Sequence, residues 1–366
     1  MYALRLITEL YREGVSMDSK QIKELYKKAN PVEQGVEKLP EQQTFSLIRQ
    51  GTATNALTKI RASNAIVTEN KIKKTTTLTQ GDASLTLPSL LVDGLKTSSY
   101  QLLDALTVVF TETGAKSPTI LMALNDYMKK RGITNKKEAR KQVTADLEEL
   151  YEASIGFTQK RGKAEPLDFK DMRLISSKGI NRGIIEVTLS TDFYHVLLGY
   201  QVMNYPAQLW TLDNRHNPNS YYFLRKISEH KNMNVGKKNE DIIAVKTLLA
   251  VAPNIPTYEK VMSGDRAVNR RIIDPFERDM NALEDTLEWE YCHPNGEPLA
   301  DEELNNFSYE TFIALLIKVN WNTYPDQTAR LERKEERIEA NKKKKEQLDK
   351  EIAKAKAKKI VDEAGH

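Results

Sequence analysis

The chain has 366 residues and a mass of 41.8 kDa, which is enough for two or three domains of ordinary size. Hydrophobic residues make up 40% of it and charged residues 29%, as in globular proteins with highly charged segments. The sequence has no run of eighteen apolar residues and no secretory signal, and its one cysteine, Cys292, excludes a disulfide framework or a cysteine-based zinc finger. We therefore expect a cytoplasmic protein without a membrane span.

The net charge of +4 is unevenly distributed along the chain. Residues 327–366 hold thirteen Lys and Arg against nine Asp and Glu, so this tail accounts for the whole excess. Two basic clusters occur in the rest of the chain. Lys129–Lys141 contains seven basic residues and one acidic residue, Glu138, and the second cluster is Arg266, Arg270 and Arg271. Such clusters suit phosphate binding, although a solvated helix face is the ordinary alternative for a basic run.

Residues 1–95 carry weak structural signals. Leu4–Tyr11 and Ser19–Lys28 have helical patterns, and Thr68–Pro88 alternates apolar residues with Thr, Lys and Gly in a way that predicts a hairpin. We predict an N-terminal extension over residues 1–95, made of short helices and this hairpin.

Residues 96–200 show a clearer order of elements. A helix capped by Ser98 or Ser99 precedes a short strand, a short helix ended by Gly132, and a long helix capped by Asn135. The alternating segments Asp171–Ser176 and Ile184–Leu189, separated by a turn over Ser177–Gly183, then predict a β-hairpin. This is the element order of a winged helix, in which the third helix can enter the major groove. The outer face of the long helix carries Lys137, Arg140, Lys141 and Thr144.

Residues 241–325 repeat this order after a connecting helical region at 201–240. We predict a helix over Asp241–Ala250, a short helix after Pro256, and a long helix that Asp265 caps and that extends to about Glu284. Two further segments are candidate wing strands, and the second of them could equally be helical: Trp289–Cys292 and Ser308–Trp321. The sequence thus predicts an α+β, mainly α fold with two winged-helix domains in tandem.

The two long helices share one pattern of core residues. At a constant offset of 133 residues, the matching sets are Ala139, Val143, Asp146, Leu147 and Leu150, and Ile272, Phe276, Asp279, Met280 and Leu283. Helical spacing of this kind is common, but the flanking elements repeat as well, so we predict two related modules. Pro275 removes one backbone donor from the second helix, and a kink is expected there.

The first half of the second long helix is rich in side chains that can read DNA. Its four polar or basic residues are Arg266, Asn269, Arg270 and Arg271. Arg and Asn bond the edges of guanine and adenine bidentately, and a helix N-terminus favours phosphate. The alternative is that Arg270 and Arg271 pair with Asp274 and Glu277 on their own surface.

Residues 326–366 form a basic tail. The stretch from Ala329 to Val361 lacks Gly and Pro and is rich in Ala, Glu, Lys and Arg, which predicts a long helix. Its apolar residues do not sustain a heptad, so a stable coiled coil is not expected. A single exposed helix or auxiliary phosphate contacts are favoured over oligomerisation.

Several stretches resemble plasmid replication initiators of the Rep type from low-GC Gram-positive bacteria. They are Asn125–Gly132, Glu138–Val143 and Asp146-Leu147 in the first half, and Tyr221–Ile227, Val245–Leu249, Pro256–Glu259 and Arg270–Met280 in the second. The resemblance covers roughly residues 97–325 and is one of pattern and order. The N-terminal extension and the basic tail depart from the family's pattern.

The resemblance implies two winged-helix domains that bind repeated origin sequences (iterons), open the duplex locally and recruit the host helicase or its loader in the bacterial cytoplasm. It implies that the second domain reads bases, through Arg266, Asn269, Arg270 and Arg271. It implies that the first domain contacts the other half of the site and serves a homodimer, with DNA contacts from Lys136, Lys137, Arg140 and Lys141.

The sequence gives no sign of enzymatic chemistry or of a bound cofactor. Nicking at a rolling-circle origin needs a tyrosine beside closely spaced histidine ligands, usually His-x-His, and the five histidines lack this spacing. A P-loop for ATP is also missing. We therefore expect no enzyme, but sequence-specific binding of double-stranded DNA that starts theta-type replication. The alternatives are a transcriptional regulator or partition protein built on the same modules, and a helical scaffold with solvated basic faces.

Overall fold

The computed structural model describes residues 44–60, 65–80, 83–88, 94–157, 170–264, 266–300 and 308–328, together with Glu303, Leu331 and Glu339. This part of the chain has an α+β fold with ten α-helices and thirteen strands. Four predicted features lie outside the described residues in whole or in large part: the helices Leu4–Tyr11 and Ser19–Lys28, the cap Asp265, and the tail helix over Ala329–Val361.

Helices and strands are interspersed along the described part of the chain. The helices are α1 (Thr52–Lys59), α2 (Thr97–Glu112), α3 (Leu124–Arg131), α4 (Lys136–Glu152), α5 (Thr191–Leu198), α6 (Ser220–Asn234), α7 (Val245–Leu249), α8 (Tyr258–Met262), α9 (Asp274–Asn281) and α10 (Tyr309–Ala314). The strands are β1 (Phe45–Gln50), β2 (Ile66–Asn70), β3 (Thr75–Gln80), β4 (Ala83–Pro88), β5 (Thr119–Ala123), β6 (Ser154–Phe157), β7 (Lys170–Arg173), β8 (Ile175–Asn181), β9 (Ile184–Leu189), β10 (Gln201–Pro206), β11 (Ile242–Ala244), β12 (Leu287–Cys292) and β13 (Leu316–Trp321).

Two regions of the chain fold with the same order of elements. The first module consists of α2, β5, α3, α4, β8 and β9, and the second module of α6, β11, α7, α9, β12 and β13. Each builds a three-stranded antiparallel sheet with the last strand in the centre, in the orders β5-β9-β8 and β11-β13-β12. The same strand pairing is therefore present twice. The first helix of the second module is α6, in the region 201–240 that the sequence predicts as a connection, and the helix predicted after Pro256 is α8, which has no counterpart among the described elements of the first module.

Two predicted elements of the second module have a different structure. Asp241–Ala250, predicted as one helix, is divided into β11 and α7, because the β-branched Ile242 and Ile243 pair with the central strand β13. Ser308–Trp321, for which the sequence leaves strand and helix open, contains both: α10 comes first and β13 follows.

The hairpin of the first module is longer than the sequence predicts. The predicted turn over Ser177–Gly183 is mostly strand, because β8 continues to Asn181 and only Arg182 and Gly183 form the turn. These two residues have positive φ angles of 49° and 85°, as in the two-residue turns whose twist matches that of the flanking strands. The turn therefore projects a single arginine at the tip of a regular hairpin.

Pro275 alters the helix that precedes it. In place of one α-helix from Arg266, the structure has a π-helical stretch, Asn269–Ile273, that leads into α9, and Arg266 itself has a left-handed φ of 56°. Pro275 has no amide proton to donate to the preceding turn, and the wider π-helical turn accommodates the missing hydrogen bond. The interruption expected at this proline is thus a widened turn.

Residues 45–88 pair with strands from later in the chain. β1 runs antiparallel to β10, and β2, β3 and β4 extend a five-stranded sheet of order β2-β3-β4-β6-β7. Leu78, Leu85 and Leu87 of this region are fully buried. The predicted hairpin is present as β2–β3, with β4 as a further strand, and the region shares its core with the first module.

The matched core residues are buried in both modules. All ten are at most 2% exposed: Ala139, Val143, Asp146, Leu147, Leu150, Ile272, Phe276, Asp279, Met280 and Leu283. The two aspartates also accept equivalent hydrogen bonds. Ser98 and Ser99 donate to Asp146 Oδ1, at 2.7 and 3.1 Å, and the backbone N and Nδ2 of Asn219 donate to Asp279 Oδ2, at 2.9 and 2.6 Å. In each module, the long helix therefore holds the start of the first helix.

The surroundings of these two aspartates differ. Asp279 Oδ1 lies 2.7 Å from Nη2 of Arg278, so a cation neutralises its buried charge. Asp146 Oδ2 is buried and has no hydrogen-bond partner among the described residues. Burial raises the pKa of Asp146 from 3.8 to about 6, against the opposing effect of the two serine hydroxyls.

A buried ion pair joins the first helices of the two modules. Arg225 of α6 donates from Nε and Nη2 to the two carboxylate oxygens of Asp104 in α2, at 3.1 and 2.9 Å. The hydroxyls of Tyr205 and Tyr221 donate to the same carboxylate, and Arg225 Nη1 donates to Thr58. Because both charges are buried and multiply hydrogen-bonded, this contact fixes the orientation of α2 relative to α6.

Candidate nucleic-acid interface

The outer face of α4 is basic where the helix begins. Asn135 Oδ1 accepts hydrogen bonds from the backbone N of Lys137 and Glu138, at 3.0 and 3.2 Å, which confirms the predicted cap. Ala139 and Val143 are buried on the inner face, and this turns the opposite face to solvent. All four residues predicted for this helix are exposed: Lys136, Lys137, Arg140 and Lys141.

The β8–β9 hairpin lies against α4. Arg140 Nη2 donates to the backbone O of Ile180 at 3.1 Å, close to the hairpin turn. Lys178 of β8 forms an ion pair with Glu148 and lies 4.7 Å from the ring centroid of Tyr151. These contacts run along the helix from its first turns to its end, so helix and hairpin present one continuous surface.

The start of the long helix in the second module is exposed as well. Ile272 and Ile273 are buried and hold the chain to the core. The four predicted residues are exposed: Arg266, Asn269, Arg270 and Arg271. Arg266 precedes the helical part, while the other three lie in the π-helical turn, where Arg270 and Arg271 also interact with neighbouring groups. The structure thus brings three of the four together in one turn.

The hairpin position differs between the modules. In the second module, β12 and β13 are joined by residues 293–315, which include α10. Tyr309 of α10 stacks on Tyr258 of α8 with ring centroids 4.2 Å apart, and Phe312 is fully buried. α10 thus packs on the module, whereas the Arg182-Gly183 turn of the first module is a short hairpin tip.

Exposed basic side chains at the start of a helix can bind the phosphates or base edges of a nucleic acid, because they are charged hydrogen-bond donors. Across the part of the chain that the structure describes, no three His, Cys, Asp or Glu side chains are grouped as a metal site requires. Within the same residues, every helix is too short or too polar to traverse a bilayer.

Sequence reasoning missed basic residues that lie in turns. Arg182 is exposed at the tip of the β8–β9 hairpin, and Lys71, Lys73 and Lys74 are exposed in the turn between β2 and β3. The sequence signal was present, since basic residues follow directly on alternating segments in both places. It was weak because the exposure of a turn depends on the strand register, which composition does not specify.

Comparison with known proteins does not identify a family. No family model matches the chain, and no curated protein matches it. A crystal structure of SeMet derivatives of domains 2 and 3 of RctB aligns with a TM-score of 0.39 and 11% identity, and covers 74% of this chain and 100% of that one. A second crystal structure of RctB domains 2–3 aligns with a TM-score of 0.34 and 10% identity, over 80% and 96% of the two chains. Similarity at this level carries no argument about function.

Proposed function

We propose that the two modules are winged helices, the first within residues 96–200 and the second from the start of α6 at Ser220 to about residue 325. We further propose that the chain binds double-stranded DNA at the repeated sites, or iterons, of a plasmid origin to start theta-type replication without nicking. One observation carries the DNA-binding part: two modules with the same strand order each expose a basic helix start. A helix of about 10–12 Å diameter fits the major groove, which is about 12 Å wide.

The two helices have different roles in this proposal. The second module reads base edges, because Arg and Asn side chains gather in one turn: Asn269, Arg270 and Arg271, with Arg266 at the entrance. The first module contacts mainly the backbone of the other half-site, since three of its four predicted residues are lysines, which act as point charges: Lys136, Lys137 and Lys141, with Arg140 beside them.

The buried joint between the modules supports a site of fixed length. Asp104 and Arg225 tie α2 to α6, so the two basic helices keep one separation. A rigid pair of modules that each occupy one helical turn requires a site of about twenty base pairs. An iteron array is a set of such sites repeated at an origin.

The replication role rests on the resemblance of residues 97–325 to Rep-type initiators. In this proposal, a host replicative helicase or its loader is a further partner, a second copy of the chain forms a homodimer, and the protein acts in the bacterial cytoplasm. The chain uses no metal and no cofactor, and performs no cleavage of its own.

Footprinting of the DNA that flanks the encoding gene tests this proposal. We expect several protected stretches of about twenty base pairs, directly repeated, as two joined modules would produce. We also expect that the gene and these repeats together maintain a plasmid that lacks another origin. No protection at any salt concentration would reject the DNA-binding proposal. Protection of one operator, with plasmid maintenance independent of the gene, would favour a transcriptional regulator instead.

A further inference from the structure

The turn between β2 and β3 is an unusual hairpin tip. Lys71, Ile72, Lys73 and Lys74 connect Asn70 to Thr75, and Ile72 is 95% exposed, the highest value among the exposed large hydrophobic residues described. Hairpin turns normally carry Asn, Gly or Asp. Three lysines around an exposed isoleucine match the side chains that other proteins place in and beside the DNA minor groove.

The tip has a defined backbone. Asn70 Oδ1 accepts a hydrogen bond from the backbone N of Lys73 at 3.0 Å, and Lys74 adopts a left-handed φ of 51°. Glu69, on the adjoining strand, is the acidic residue next to the turn in sequence. The loop is thus a structured turn with a cationic surface and one apolar side chain at its end.

The strand registers show at which end of the sheet this tip lies. One row of paired residues crosses the five-stranded sheet: Arg173, Ser154, Thr86, Thr77 and Thr68. β3 continues beyond this row to the lysine tip, about four residues or 13 Å further on. β7 leaves the sheet at the same end, where the chain continues through Leu174 into β8 and the Arg182 tip.

The basic start of α4 lies at the end of β8 that is remote from β7. Tyr151, in the last turn of α4, is 5.7 Å from the guanidinium of Arg173, and Arg140, near its first turn, bonds Ile180 beside the hairpin tip. The helix therefore runs along β8 with its basic end at the Arg182 turn. β3 is three strands away from β7, an offset of about 14 Å at roughly 4.8 Å per strand.

We propose that the β2–β3 tip is a third DNA-contacting element, which binds the minor groove beside the major-groove segment that α4 occupies. This inference rests on the proposed function. Lys71, Lys73 and Lys74 contact the phosphates at the edges of the groove, and Ile72 enters it as an apolar wedge that bends the duplex.

Salt dependence of duplex binding tests the lysines. The test variant combines Lys71→Ser, Lys73→Ser and Lys74→Asn, because asparagine tolerates the left-handed φ at position 74. The control variant removes three positive charges from exposed lysines outside this turn, just before β5 and β11: Lys116→Ser, Lys237→Ser and Lys238→Ser. The probe is an end-labelled random-sequence duplex of about four helical turns.

The slope of log affinity against log salt concentration falls by roughly 0.9 for each phosphate contact removed. We expect the test variant to lower this slope by about 2 to 3 and the control variant to leave it close to that of the parent. Equal changes in both variants would overturn the proposal, because they would reflect net charge alone.

Energy transfer between dyes at the two duplex ends tests the wedge. Ile72→Ser should reduce the bend of the duplex and leave the salt slope unchanged. Energy transfer equal to that of the parent would overturn the wedge.

If the parent binds and Lys137→Ala lowers its salt slope while the β2–β3 variant does not, this inference fails and the proposed function stands. If the parent does not bind duplex DNA, both fail. Binding to vesicles of anionic lipid that Ile72→Ser abolishes, with DNA binding unaltered, would assign the tip to a membrane surface and overturn the proposal.

Discussion

The two modules have the same topology but differ in how they compensate a buried charge. In both, an aspartate of the long helix holds the start of the first helix, at Asp146 and Asp279. Asp279 has Arg278 beside it, whereas Asp146 has two serine hydroxyls and a raised pKa. The two modules thus share the position of the hydrogen-bonding aspartate but differ in the charged and polar groups around it.

The modules also differ at the edge that flanks the basic helix. The first ends its sheet in a two-residue turn with Arg182 at the tip, and the second fills the corresponding connection with α10. A projecting hairpin can follow the DNA backbone beside the helix, while a packed connection leaves recognition to the helix itself. The difference agrees with the proposed division between backbone contact in the first module and base reading in the second.

The joint between the modules gives the largest expected effect on stability. Arg225→Met leaves Asp104 charged and buried without its partner, which should lower the free energy of unfolding by about 3–5 kcal/mol. The double variant Asp104→Leu with Arg225→Met removes both charges and should recover much of this loss. Urea denaturation measures both. A loss below about 1 kcal/mol for the single variant would show that the ion pair does not hold the modules together.

Exchanging the matched aspartates for asparagine sharpens the comparison between modules. Asp279→Asn weakens hydrogen bonds to Asn219 and the ion pair with Arg278, and should cost about 2–3 kcal/mol. Asp146→Asn keeps an acceptor for the two serines and removes a charge that burial disfavours, so at neutral pH it should lower the free energy of unfolding less than Asp279→Asn does, or raise it. Urea unfolding of the two variants at pH 7 gives the test. Equal losses would mean that the cation beside Asp279 has no effect on stability.

The pH dependence of stability separates the two aspartates further. Because the pKa of Asp146 is about 6 in the folded chain and about 3.8 when unfolded, the folded state holds an extra proton between these values. The contribution of Asp146 to the free energy of unfolding therefore falls as pH rises from about 4 to 6, by about 1.4 kcal/mol per pH unit. Asp146→Asn should remove this component from unfolding curves measured across that range. Identical pH profiles for variant and parent would contradict the raised pKa.

Features set by local pattern could be predicted from the sequence. The Asn135 cap, the strand Thr119–Ala123 and the buried faces of α4 and α9 follow from helical or strand periodicity and a capping residue. The exposure of seven of the eight candidate DNA-binding residues follows for the same reason, because a buried stripe at helical spacing leaves the opposite face to solvent; Arg266 precedes the helix.

Features that depend on distant partners could not be predicted. Ile242–Ala244 is a strand because β13, more than seventy residues later, offers it an edge. The pairing of β4 with β6 and the contact of Asp104 with Arg225 likewise join segments that no local pattern relates. The placement of Lys71, Lys73 and Lys74 at a hairpin tip could not be predicted either, because it depends on the register of β2 with β3.

The smallest expected effects concern DNA binding by single residues of the two helices. Arg270→Ala should weaken binding to a footprinted repeat by about 1–3 kcal/mol and change binding to random DNA little. Lys137→Ala should weaken binding to both DNAs alike and lower the salt slope by about 1. The residues lie in different modules, so their effects should add in the double variant.

The DNA-binding proposal is best tested by titrating a repeat-bearing duplex and a random duplex at several salt concentrations. The proteins compared are the parent, both single variants and the double variant. We expect a loss of specificity from Arg270→Ala, a lower salt slope from Lys137→Ala, and both effects in the double variant. If either substitution left binding to both duplexes unchanged, the claim that each module presents a basic helix to DNA would be contradicted.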